Sequence, residues 1–141
     1  MAGTAATIAT QWSTEDQLGG IALHAAGLVA ASAQDTAVFL GKGDYLIKTV
    51  VSAIEIADND ELFVVDIEGD LDSAAATYYR LGTIFADGAK EITGRAVDGA
   101  VGTYYTVIRN PLDNNVRVTT NISGTVGTGI NFTVTAYPLA K

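Results

Sequence analysis

Half of the chain's 16 carboxylates fall within 18 residues: Glu55, Asp58, Asp60, Glu61, Asp66, Glu68, Asp70 and Asp72, with no Lys or Arg among them. Oxygen ligands at that density suit a hard cation, since Ca²⁺ takes about six to eight of them. The stretch Asp66-Ile67-Glu68-Gly69-Asp70-Leu71-Asp72 does not, however, match the helix–loop–helix calcium loop in register or flanks. The expectation is therefore an acidic turn followed by a solvated strand end. Two of these acids would also serve as the proton donor and base of glycoside hydrolysis, but no aromatic sugar platform lies beside them. His24 is the one histidine and cysteine is absent. A Ser–His–Asp relay or a zinc site would have to be assembled around that single imidazole, so His24 is read as a packing or surface residue. The glycine-rich run GTVGTG at 124–129 lacks the Lys and the following helix of a phosphate loop, and is read as a connection between strands. No catalytic residue, metal site or cofactor is expected.

Two residues point to binding instead. Trp12 is the only tryptophan, and with Ile8 it is one of the two sizeable apolar side chains in an Ala/Gly/Thr-rich start. Tryptophan is enriched where one protein anchors in another's pocket, so Ile8 and Trp12 are the interface candidates. Tyr78-Tyr79 and Tyr104-Tyr105 would each place one ring inside a sheet and one outside.

The chain that must position these groups has 141 residues, 48% of them hydrophobic and 17% charged, enough apolar material for one folded domain. Its formal net charge is −8. Nucleic-acid binding draws on a basic face that displaces phosphate counterions, so no direct nucleic-acid partner is expected. The first 41 residues carry no Lys or Arg and so do not read as a secretory signal, which opens on positive charge. The most apolar run, residues 18–31, is 14 long and broken by three Gly, too short to span a membrane.

Composition divides the chain in two. Ala, Gly, Thr and Ser fill 20 of the first 35 positions, so residues 1–35 are read as an arm, within which 18–33 would pass for a Gly-weakened helix. Residues 36–141 are read as a β domain. Residues 116–123 (VRVTTNIS) and 130–137 (INFTVTAY) alternate apolar and polar with period two, the mark of strands with one buried face. They read as a closing hairpin around the glycine run. Further strands are expected at 36–40, 45–56, 62–67, 77–86, 92–97 and 103–109, punctuated by Asp-Asn-Asp, Asp-Gly and Asn-Pro turns. Eight strands without a long helix suggest an all-β, antiparallel jelly-roll-like sandwich with an extended N-terminal arm, the alternative being an immunoglobulin-like sandwich. In residues 45–56, Leu46, Val50 and Ile54 oppose Tyr45, Ile47 and Val51, so both faces want cover and self-association is expected.

A family resemblance accompanies this pattern. Asn115-Val116-Arg117-Val118-Thr119-Thr120, a Gly-Thr loop, and Phe132-Thr133-Val134-Thr135-Ala136 resemble the end of the small capsid cement (decoration) proteins of tailed bacteriophages. Leu62-Phe63-Val64-Val65-Asp66-Ile67 with Thr77-Tyr78-Tyr79-Arg80-Leu81-Gly82 resembles their middle strands, and Thr36-Ala37-Val38-Phe39-Leu40-Gly41 their entry into the sandwich. The likeness spans residues 36–139 as a pattern of strands and includes no ligand motif. It implies a homotrimer on the outer capsid surface of a virion, made in the host cytoplasm, clamping the major capsid protein without enzyme activity. A neck, tail or receptor-binding component and a carbohydrate-binding sandwich are the alternatives.

Overall fold

The computed structural model describes residues 19–70, 77–97 and 99–139. Ile8, Trp12 and the rest of residues 1–17 lie outside them, as does Asp72. Two antiparallel sheets face each other as a β-sandwich. The strands are β1 (Ile21–His24), β2 (Leu28–Val29), β3 (Ala33–Gln34), β4 (Val38–Leu40), β5 (Gly43–Ile54), β6 (Leu62–Asp70), β7 (Tyr78–Gly88), β8 (Gly102–Asn110), β9 (Asn114–Ser123) and β10 (Ile130–Pro138). The first sheet has the order β1-β10-β5-β8, with β2 also paired to β10. The second has the order β3-β9-β6-β7, with β4 also paired to β9. No helix among the described residues is long and apolar enough to cross a membrane.

Alternation decides which side chains go inside. Along β5, Tyr45, Ile47, Thr49 and Val51 are buried while the residues between them are not. Ile130, Phe132, Val134 and Ala136 line β10, and Val116 and Val118 line β9. Phe63, Val65 and Ile67 of β6 complete a core in which Phe63 and Phe132 are the largest fully buried side chains. Burying a Phe or Ile side chain contributes about 1.5–3 kcal/mol. This inward row gives the sandwich its cohesion.

Four features differ from the sequence reading. Ten strands form among the described residues rather than eight, because residues 21–34 supply β1, β2 and β3 instead of a helix. These strands are two to four residues long and draw their order from hydrogen bonds to β9 and β10, so no period can emerge against the Ala/Gly background. The weak strand at 92–97 is absent, and a single turn of helix, α1 (Lys90–Thr93), stands there, stopped by Gly94 at φ 71°. Lastly, β9 and β10 do not form a hairpin. They lie in opposite sheets, and residues 124–129 cross between them. Two strands that face each other across a core carry the same inward alternation as two that pair, so period two cannot tell the cases apart.

At the crossing, Gly124 has φ 90°, and a Cβ there would overlap the Asp60 carbonyl oxygen. Gly94 has a positive φ but open space around it. Gly124→Ala should therefore cost about 3 kcal/mol of stability, combining backbone strain with a backbone clash. Gly94→Ala should cost about 1 kcal/mol, from strain alone. Urea unfolding midpoints of the two variants measure the difference.

Candidate interface

The two sheets present opposite outer surfaces. On the first, the register sets Val107 opposite Leu46, Tyr105 opposite Lys48 and Thr103 opposite Val50. These residues point away from the core, and Tyr105 and Val107 are 56% and 60% exposed. Leu46 and Val50 are half-buried between them and β10. The row closes at one end with Arg109 Nε donating to Asp44 Oδ1 at 3.1 Å. The outer surface of this edge strand and its neighbour thus carries Leu46, Val50, Tyr105 and Val107 around Lys48 and Thr103.

The second sheet's outer surface finds its own partners. Arg117 Nε donates to Glu68 Oε1 at 3.0 Å, and Thr119 Oγ1 donates to the same oxygen at 2.9 Å. The Arg117 guanidinium lies 3.9 Å from the centre of the Tyr78 ring. Thr83 Oγ1 donates to Asp66 Oδ1 at 2.6 Å. A face so satisfied gains little by losing water.

The acidic run is thus split between two places. Asp66, Glu68 and Asp70 sit on β6, while Glu55, Asp58, Asp60 and Glu61 belong to the crossing between β5 and β6. That crossing is latched to the glycine run. Glu55 Oε2 accepts the Gly127 and Thr128 amides at 2.8 and 3.2 Å. Asp60 takes the Thr125 amide at 2.9 Å on Oδ1 and the Thr125 hydroxyl at 3.0 Å on Oδ2. Residues 124–129 therefore act as a strand-to-strand crossing held by carboxylates.

His24 packs. Its ring stacks on Phe132 with centroids 4.0 Å apart and planes 8° from parallel, and Nδ1 meets Asp35 Oδ2 at 2.5 Å. Since β1 belongs to the first sheet and the Asp35 amide bonds to Val118 of the second, the pair ties the two sheets along one side. Tyr104 and Tyr105 divide as expected: Tyr104 packs edge-on against Phe85 at 5.0 Å while Tyr105 faces out. Tyr78 and Tyr79 do not. Tyr78 lies under Arg117 on the polar face and Tyr79 is 52% exposed, because β7 begins there, beyond the end of the core. Val107 was not singled out from the sequence, although the alternation of residues 103–109 carried the signal.

The end of the sandwich opposite the acidic crossing mixes charged and apolar side chains. An open depression of about 570 Å³ is lined by Lys42, Asp44, Arg109, Pro111 and Leu139. Phe39, Leu112 and Leu139 are exposed at this same end. Tyr45 stands at its base, donating its hydroxyl to the Gly41 carbonyl at 2.6 Å. The chain matches no protein-family model and no curated protein.

Burial, and then the nearby Asp113 carboxylate, raises the Tyr45 phenol above its ordinary pKa. A group whose folded pKa is raised keeps its stabilising contribution below its unfolded pKa, about 10 for tyrosine, and loses it as pH rises through the folded value. Stability should therefore decline above about pH 10. Tyrosinate absorbance should show a late-ionising phenol, and Tyr45→Phe should remove both the late phase and that part of the alkaline decline.

Proposed function

We propose that this chain is a structural binding module without enzyme activity: a capsid cement protein of the tailed-phage type, acting as a homotrimer on the outside of the major capsid shell. The observation that carries the proposal is the contrast between the faces, a stripe of Leu46, Val50, Tyr105 and Val107 on one sheet against self-paired charges on the other. A protein that works by adhering needs one surface that prefers a neighbour to water.

The connections support the jelly-roll reading. Taking β1 with β2, and β3 with β4, as interrupted strands leaves eight, ordered 1-8-3-6 in one sheet and 2-7-4-5 in the other. Every connection but one then crosses between sheets, whereas an immunoglobulin-like sandwich carries more hairpins within a sheet. In this reading Ile8 and Trp12, outside the described residues, are the anchors into a neighbouring subunit or the shell.

Sedimentation at micromolar concentration should give a trimer, and Val107→Lys with Tyr105→Glu should give a monomer with an unchanged far-UV spectrum. On particles lacking the protein, the full chain should bind and raise the temperature of DNA release. Deleting residues 1–17, or Trp12→Ala, should weaken that attachment while leaving the melting of the sandwich intact. A wild-type monomer that does not bind the shells refutes the proposal.

A further inference from the structure

We propose that Glu55, Asp58 and Glu61 form a calcium site at the acidic end of the sandwich. The three residues recur every third position through the crossing from β5 to β6. Asn59, at φ 68°, turns the chain back within it. One carboxylate oxygen from each of the three lies within 4.8 Å of the other two. Three negative charges that close repel one another unless a cation stands between them.

A cluster of acids at a surface would need no such cation, because water would serve. Glu61 is different: it is fully buried, with 0% exposure. Its Oε1 accepts the Asp58 amide at 2.6 Å, but its Oε2 has no hydrogen-bond partner. A buried carboxylate oxygen without a donor is costly, and such groups are found paired or coordinating metal. Nor can Glu61 readily swing out to solvent. Its carbonyl accepts the Ala89 amide at 3.0 Å, and Gly88 and Gly124 pack directly against the Asp60–Glu61 backbone. The ion pairs of His24, Arg95, Arg109 and Arg117 among the described residues go to Asp35, Asp87, Asp44 and Glu68, away from this cluster.

The donors are all oxygen, which selects a hard cation, and they come from a turn, which suits the variable geometry of Ca²⁺ over the strict octahedron of Mg²⁺. Three carboxylates leave room for water or carbonyl oxygen in the remaining positions. Because Glu55 also holds the Gly127 and Thr128 amides, the ion would brace the 124–129 crossing as well.

The test is thermal unfolding and calorimetric titration of the full chain, stripped with a chelator and then supplied with CaCl₂. At calcium about a hundredfold above its Kd, the midpoint should rise by about 5–10 °C. Glu61→Gln should abolish the rise. Asp58→Asn changes an exposed residue and so leaves the fold intact, and should weaken calcium binding by about tenfold or more, as loss of one charged ligand does. Asp113→Asn, an exposed acid at the opposite end, should change neither the rise nor the binding. The proposal is overturned if calcium gives no binding heat and no shift. It is equally overturned if NaCl at matched ionic strength gives the same shift, or if the shift is undiminished in Asp58→Asn, since the ion would then only screen the chain's net charge of −8.

Discussion

The backbone of Asp60 and Glu61 occupies space that side chains at positions 88 and 124 would otherwise fill. Three separate stretches meet at this point: the crossing from β5 to β6, the end of β7, and the start of the crossing from β9 to β10. The meeting is made of main chain and of one carboxylate, that of Asp60. Ala89 donates to the Glu61 carbonyl, Glu55 donates to the Gly129 carbonyl, and Asp60 receives Thr125. A sandwich whose sheets exchange strands at nearly every connection has few hairpins beyond β6–β7 to hold its ends, so it needs such a junction. The two glycines are there for close approach, and the carboxylates for the amides that the crossing leaves without strand partners.

The other end is held by the Asp113 carboxylate accepting the Lys42 amide at 2.7 Å. It gathers Phe39, Leu112 and Leu139 on its surface around an open depression, with a tyrosine hydroxyl and Asn110 tying the β4–β5 turn from below. The two ends and the two faces therefore differ: carboxylates latch one end while exposed apolar side chains stand beside Lys42, Asp44 and Arg109 at the other, and Tyr105 and Val107 lie on the face away from the Glu68–Arg117 pair.

Much of this was legible in the residues. Strands β9 and β10 are long enough for alternation to name their inward side chains one by one, and Val118 and Phe132 are both buried, whereas β5 is apolar on both faces and its period does not choose Ile47 over Leu46. Three things were not legible. Strands of two to four residues, such as β2 and β3, carry no period of their own and exist only because a neighbour offers hydrogen bonds. The partner of a strand is also hidden, since facing and pairing leave the same trace, which is why residues 124–129 looked like a hairpin turn. Glu61, finally, reads from sequence as one more solvated acid in a run of eight. Its burial depends on Gly88 and Gly124, distant positions that local pattern does not connect to it.

The order of the first sheet bears on when the protein can fold during synthesis. Its last strand, β10, lies between β1 and β5, and neither of those pairs with the other. Until residue 138 has left the ribosome, β1 and β2 have no strand to join, and β5 has only β8 on one side. The second sheet closes earlier, because β9 joins β3, β4 and β6 by residue 123. Chains with such non-local pairing fold in about milliseconds to seconds, and their unpaired edges are exposed to aggregation meanwhile. The nascent chain thus carries a half-built sandwich with one edge of β5 unpaired, and truncations near the C-terminus would leave the first sheet split rather than merely shortened.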